Sequence, residues 1–286
     1  MIFLSKSRKR QLRYEKLHSD ILSYYASLPQ GALSAEQTAI FEHVKKNGLH
    51  VFPFPFMEKY KPKDIHVARD KYERLYYMML DHKRLYYRRT GKPENAQNYF
   101  NTLLYEQDPD SPHRYLSPEF NVKDNDVVVD IGAAEGVFAL SVVEKAKELY
   151  LFETNHKWIK ALHATFKPWK HKVHIIQKFV SDKNGWNHVS LDTFFKDKGK
   201  IDFIKMDVEG SEQSVLEGAK NTIAGQKEIR IALTAYHRQD DEKLLSDWLI
   251  KNGFSISFAK GFMIFIMDKN IDKPYLRRGV IRAEKK

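Results

Sequence analysis

The sequence predicts an α/β protein built on a mostly parallel sheet whose last strand runs antiparallel. Two observations carry this. From about residue 116 short apolar runs alternate with amphipathic stretches, the pattern of a parallel sheet covered by helices on both faces. At the end, FSISF (254–258) and FMIFIM (262–267) are separated only by Ala259-Lys260-Gly261, so they are expected to pair as a hairpin and supply the antiparallel strand. The first 107 residues follow another pattern and are expected to form an α+β accessory region. The sheet domain then spans 108–270, and 271–286 reads as a basic tail.

Taken in order, Tyr14, Leu17, Ile21, Leu22 and Tyr25 fall on one helix face, and Pro29-Gln30-Gly31 ends that helix. Ser34, with Glu36 and Gln37 behind it, starts a second one. VFPFPF (51–56) reads as an extended edge segment, because Pro53 and Pro55 remove backbone donors. Arg-Leu-Tyr-Tyr occurs at 74–77 and again at 84–87; the polar residues between predict a hairpin turning near Asp81–Lys83. Glu94 to Glu106 is a helix, and the two prolines of 108–115 suit a rigid loop. Strands are then expected at 127–132, 148–153, 172–180, 200–208 and 228–236. The helices between and after them are placed at 137–147, 158–166, 211–222 and 241–251.

Composition narrows the function classes. The 286 residues carry 48 Lys+Arg against 37 Asp+Glu, a net charge of +11, and no cysteine. Disulfides, thiolate metal sites and cysteine nucleophiles are thereby excluded. No apolar run approaches 18 residues, and MIFLSKSRKRQLR lacks the order of a signal peptide; a cytoplasmic protein is the expectation. Residues 121–270 carry 22 basic and 21 acidic side chains, so the excess sits at the ends. Lys6, Arg8, Lys9, Arg10 and Arg13 form one cluster, and Arg277, Arg278, Arg282, Lys285 and Lys286 another. Such clusters are either solvated termini or contacts for phosphate, an acidic glycan or an anionic membrane surface.

Three segments carry chemistry. In VVVDIGAAEGVFAL (127–140) a strand ends at Asp130, and Gly132 and Gly136 shape the turn into a helix. Backbone donors at such a turn suit a nucleotide-like ligand. Glu153 ends the next strand, where α/β nucleotide sites place the acid that holds ribose hydroxyls. The dinucleotide fingerprint is broken by Ala134 and Val137, which disfavours a nicotinamide enzyme. In IDFIKMDVEGSEQSVLEGA (201–219), Asp207 and Glu209 leave a strand tip, Gly210 turns, and Ser211 is an N-cap candidate. In TAYHRQDD (234–241), His237 stands at another strand tip as a candidate general base.

Together DIGAAEG, FET, IKMDVEGSE and YHRQDD resemble the FkbM-type family of S-adenosylmethionine-dependent methyltransferases, over roughly residues 108–268. SPHRYL (111–116) is similar to the stretch before the first strand in members associated with surface glycans. The resemblance implies a Rossmann-like class I methyltransferase sheet. It puts Asp130, Gly132, Ala134, Glu135 and Gly136 around the methionine part of the donor. Glu153 would hold the ribose, and Thr154, Phe179 and Val180 would flank the adenine. Asp207 would stand at the donor–acceptor boundary, with Glu209 and His237 facing the acceptor. His113, Arg114, Tyr115 and Tyr236 are the expected acceptor-side residues.

The chemistry so implied is O-methylation of a sugar or glycan hydroxyl. Its activation falls to His237 as base, or to magnesium or manganese held by Asp207, Glu209 and His237. A nucleic-acid methyltransferase and a catalytically idle module binding through its basic ends are the alternatives. The first lacks an Asn-Pro-Pro-Tyr type motif; the second is at odds with intact Asp130, Glu153 and Asp207. Acceptor identity and oligomeric state are not legible in the sequence, and an oligomer stays open.

Overall fold

The computed structural model describes residues 6–285. It opens with α1 (Lys6–Ala26) and α2 (Ala35–Asn47). Leu17, Ile21 and Tyr25 come up every fourth residue on α1 and pack with Ile40 and Val44 of α2. Ser34 and Gln37 form a reciprocal capping box at the start of α2. The extended edge segment expected at 51–56 does not form a strand. Pro55 instead opens a 3₁₀ turn over Pro55–Lys59, a position where its missing N–H costs nothing.

The predicted hairpin is present and has a third member: β1 (Ala68–Arg69), β2 (Tyr76–Leu80) and β3 (Lys83–Tyr86) form an antiparallel sheet. Asp81 and His82, at φ +47° and +63°, make its two-residue turn. Next comes α3 (Pro93–Glu106), then β4 (Val127–Ile131) and α4 (Val137–Val142). The last helix is shorter than expected because Lys145 and Lys147 turn back to bond Asn125 and Asp126 at the entry to β4. There follow β5 (Glu148–Phe152), α5 (His156–Thr165), β6 (Val173–Ile176), β7 (Phe179–Val180), β8 (His188–Val189) and α6 (Leu191–Phe194). The single strand expected at 172–180 is thus two: β6 borders the main sheet, and β7 pairs with β8 in a ribbon of its own. The chain continues with β9 (Phe203–Met206), α7 (Glu212–Gly218), α8 (Lys220–Ala224), β10 (Ile229–Thr234), α9 (Asp241–Lys251), β11 (Ser255–Phe258) and β12 (Val280–Lys285).

Among the described residues the main sheet has seven strands in the order β11-β12-β10-β9-β4-β5-β6. The pairs β10–β9, β9–β4, β4–β5 and β5–β6 are parallel, and β12 is antiparallel to both of its neighbours. This is the doubly covered Rossmann-like sheet the sequence predicts, with a correction at its end. The hairpin of 254–258 with 262–267 does not form. The antiparallel strand is drawn from 280–285, inside the segment expected as a basic tail, and it inserts between β10 and β11. Residues 262–267 instead contribute Ile264, which packs with α1 and α2 and whose N–H bonds Val51.

Side chains along β4 alternate between two cores. Val128 joins α3, α4, α5 and the β1–β3 sheet, so the N-terminal region and the main sheet share one core. Val129 and Ile131 join α7 and α9 on the other face. Burial on both faces explains why the strand sequences are almost uninterrupted apolar runs. The strand order reverses direction between β4 and β9, and the crevice of such sheets opens at the carboxyl ends of those strands. No described helix is long and apolar enough to cross a membrane.

Candidate active site

A crevice of about 540 Å³ opens at the carboxyl ends of β4, β5 and β9. Gly132, Ala134, Glu153, Thr154, Phe179, Val180, Asp207 and Glu209 line it, so the structure brings these predicted residues together. Gly132 is at φ +76°, and a Cβ there would fall 1.9 Å from the Asp207 carbonyl oxygen. Only glycine lets the two strand-end turns approach so closely. Ala134 keeps a positive φ of +46° where glycine would be the easier residue.

Glu153 holds the turn from the next strand. Its Oε2 accepts from Ala134 N–H at 2.8 Å and its Oε1 from Asn155 N–H at 2.6 Å. A carboxylate has about four acceptor sites, so each oxygen keeps capacity for a ribose hydroxyl. Phe179, half exposed and stacked on His188 at 5.2 Å, offers a flat apolar wall for a purine. Volume, acid and apolar wall fit S-adenosylmethionine.

Asp130, Glu135 and Gly136 are not in the crevice lining. Asp130 is fully enclosed and lies directly beside Lys205 in the register of β4 with β9. The Lys205 Nζ sits 3.1 Å from the Asp130 carboxylate and donates to the Gly132 carbonyl at 2.7 Å. Asp130 therefore acts on the turn through Lys205, a residue the sequence reading passed over. Glu135 is buried and accepts from Tyr99 Oη at 2.5 Å. Gly136 starts α4, where a Cβ would meet the Leu162 and Phe166 side chains.

Beyond Asp207 the acceptor-side residues converge. Tyr115 donates to Asp207 Oδ2 at 2.7 Å, and His113 Nε2 lies 3.5 Å from the same oxygen. His113 also contacts the Tyr236 hydroxyl at 3.1 Å. The His237 Nε2 lies 3.6 Å from Asp207 Oδ1, so the two strand tips do reach one site. Arg114 does not join them: its Nε donates to the Leu116 carbonyl.

The acid beside His237 is a different one from that expected. The Glu209 side chain is 86% exposed and only approaches Nε2, at 3.6 Å. Glu212 is 1% exposed and accepts at Oε1 from His237 Nδ1 (3.1 Å), Thr234 Oγ1 (3.0 Å) and Val208 N–H (3.1 Å). Ser211 precedes α7 without making a capping bond. Glu212 looked like an ordinary first-turn acid, and its only sequence signal was its place two residues after a strand-end glycine.

Electrostatics follow from these contacts. Burial works against ionisation of Asp207, but the His113 hydrogen bond and the charge of Lys205 outweigh it and hold the carboxyl far below its usual range. Burial alone would discharge His237; the Glu212 hydrogen bond and the Asp207 charge overcome it and raise the ring's pKa. One ligand atom each from Asp207, Glu212 and His237 lies within 4.8 Å of the others, the span of a divalent-ion site.

Several solved methyltransferases are similar in structure at low identity. Magnesium protoporphyrin IX methyltransferase from Synechocystis, solved with bound S-adenosylmethionine, is 15% identical with a TM-score of 0.43, over 69% of this chain and 87% of that one. Precorrin-6y C5,15-methyltransferase from Geobacter metallireducens is 14% identical with a TM-score of 0.41, over 59% and 85%. An rRNA methylase from Streptococcus thermophilus is 12% identical with a TM-score of 0.38, over 58% and 89%. No curated protein matches the chain. The sequence model of the methyltransferase FkbM domain matches residues 93–256, more than half the chain. With the strand order and the crevice at its switch point, that match makes the protein a member of the FkbM family of S-adenosylmethionine-dependent methyltransferases.

Proposed function

We propose that the protein methylates a hydroxyl of a sugar or glycan. The observation that carries this reading is the junction at Asp207, where the donor crevice meets His113, Tyr115, Tyr236 and His237. The donor brings an activated methyl group on a sulfonium sulfur. The chain supplies alignment, which can account for most of the barrier lowering when the leaving group is already activated. Tyr115 and Tyr236 are buried and back this junction: the Tyr115 hydroxyl donates to Asp207, and the Tyr236 hydroxyl meets His113. Asp207, firmly ionised, is a strong hydrogen-bond acceptor and a poor proton acceptor, so it orients a hydroxyl. His237, its pKa raised by the Glu212 hydrogen bond and the Asp207 charge against burial, has its protonated form favoured and bridges Glu212 to Asp207 at the β10 tip.

The test is donor calorimetry followed by turnover with a panel of sugar nucleotides and methyl glycosides. Saturable donor binding and methylation of a glycoside support the reading. Donor binding with turnover only on RNA would replace it. A second reading adds a metal, and one observation favours it: Glu212 Oε2 is buried without a hydrogen-bond partner. A hard divalent ion at Asp207, Glu212 and His237 would displace the ring's proton. Titration with MnCl₂ giving no heat, and turnover unaffected by EDTA, would remove it.

A further inference from the structure

A second cleft, of about 640 Å³, lies beside the donor crevice. Arg88 and Arg89 reach it from the segment after β3, Lys157 from the first turn of α5, and Asn95, Asn98 and Thr102 from α3. The three α3 residues recur at steps of three and four, so they line one face of that helix over about 10 Å. Among the described residues no carboxylate lines this cleft.

One wall separates the two cavities. Trp158 lines the donor crevice, and its ring packs on Tyr99 at 5.2 Å and on Tyr87 at 5.5 Å, both of which line the second cleft. Tyr99 in turn donates to Glu135, inside the turn that follows β4. From the cleft, α3 runs on to the 108–115 segment that carries His113 and Tyr115. The cleft thus adjoins the donor site and leads along α3 towards the acceptor side.

Its cations are held ready and have no counter-charge. The Arg88 guanidinium sits 5.5 Å over the Trp158 ring and 5.7 Å over that of Tyr87, and its Nε donates to the Tyr87 hydroxyl at 3.3 Å. Stacking fixes the plane of a guanidinium and leaves its outer donor edge available. The exposed Arg89 and Lys157 side chains make no ion pair or hydrogen bond among the described residues. Cations nearby do: Arg84 pairs with Asp70, and Lys167 with Glu73. A concave surface lined by one sign of charge concentrates ligands of the other.

We infer that this cleft holds the phosphoryl group of the acceptor, so that the sugar methylated is a glycosyl phosphate, either a sugar 1-phosphate or a nucleoside diphosphate sugar. This rests on the sugar-directed activity proposed above and narrows its substrate class. Two guanidinium forks and an ammonium offer more donors than the single oxygen pair of a carboxylate accepts. A terminal phosphoryl group presents three acceptor oxygens and close to two charges. Three cations in one cleft serve one or two phosphates and make no track for a nucleic-acid backbone.

The test compares wild type with Arg89→Ala/Lys157→Ala and with Arg88→Lys. Inorganic pyrophosphate is titrated calorimetrically into protein saturated with S-adenosylmethionine. Separately, kcat/KM is measured on a methyl glycoside, the matching sugar 1-phosphate, its nucleoside diphosphate ester and a uronic acid glycoside. Wild type is expected to bind pyrophosphate saturably and to prefer a phosphorylated sugar to the methyl glycoside. The ester with the larger preference identifies the source of the phosphate. In the double variant pyrophosphate binding weakens and the preference falls about 10–100-fold through KM, with donor affinity kept. Arg88→Lys keeps the charge, loses the fork and gives an intermediate loss. The inference is overturned if the double variant keeps the preference within roughly threefold of wild type, less than one lost charged hydrogen bond would cost. Pyrophosphate binding equal in wild type and the double variant also overturns it, and so does an equal preference for the uronic acid glycoside. Lost donor affinity in place of the acceptor effect overturns it too, since the cleft would then hold the carboxylate of the donor. Wild type that binds donor and pyrophosphate yet methylates no sugar would support the anion site and count against the sugar-directed activity, leaving the two outcomes distinct.

Discussion

Two glutamates three residues apart on the turn into α7 show how much a neighbour's position decides. Glu209 leaves the β9 tip at φ +54° and swings into water, whereas Glu212 points under the β10 tip, where Thr234 and His237 close over it. The motif alone favoured Glu209, because strand-tip acids are the usual ligand-facing ones. Asp207, Glu153 and Gly132 were readable from spacing, since their places follow from where a strand must end. Glu212 and Lys205 were not, because their partners come from other strands. The pair Glu212–His237 makes stability pH-dependent. The raised His237 pKa contributes stability fully below its unfolded value near 6.5, lost as pH rises through the folded value. The lowered Glu212 pKa, held down against burial by His237, contributes above its unfolded value near 4.3 and is lost as pH falls. Urea unfolding of Glu212→Gln is therefore expected to show its largest deficit between about pH 4.3 and 6.5, near 3 kcal/mol for a broken buried pair. Glu209→Gln should stay within about 0.5 kcal/mol of wild type across that range.

At the scale of elements, β12 is where local pattern misled and topology corrected it. VIRAEK reads as the start of a charged terminus, while FMIFIM six apolar residues long reads as a strand. In the sheet, Val280, Ile281 and Ala283 are buried between β10 and β11, and the polar side chains find partners nearby. Arg282 donates to the carbonyls of Arg114, Tyr115 and Leu116. One strand thus closes the sheet and clamps the segment that carries His113 and Tyr115. Removing residues 279–286 leaves β11 without a neighbour and exposes the edge of β10, so the truncated chain is expected to lose cooperative thermal unfolding and to aggregate. Arg282→Ala should fold, at a cost of about 1–3 kcal/mol for buried carbonyls left unpaired. Its KM for the acceptor should rise while donor affinity holds. Unchanged acceptor KM would show that the clamp is structural alone.

For the whole molecule the question is what a net charge of +11 is for. Charge at the two chain ends, read alone, suits a polyanion as well as it suits solvent. The fold draws much of it inward. Arg277 is buried, paired with Asp268 at 2.6 Å and donating to the Tyr236 and His237 carbonyls. Arg278 lies 3.8 Å over the Phe262 ring and pairs with Glu36, and Lys285 donates to the Ile223 carbonyl. On α1, Arg13 donates to the carbonyls of Ile266 and Asp268. Lys286 and residues 1–5 lie outside the described residues. These cations join the N-terminal helices, the 262–278 segment and the tips of the sheet, Arg277 and Arg278 through carboxylates and Arg13 and Lys285 through carbonyls, so they are engaged within the protein. A nucleic-acid enzyme needs several cations free to displace counterions along a backbone, and each adds to the salt dependence of binding. The expectation is weak RNA binding whose log–log salt slope stays under about 2, together with glycoside turnover that ionic strength leaves nearly unchanged. Fluorescence anisotropy on a labelled single strand at several salt concentrations measures the slope directly. A slope several-fold steeper, with affinity in the nanomolar range at low salt, would mean that α1 and the surface around it still present a backbone-sized track, and the acceptor would then have to be sought among nucleic acids.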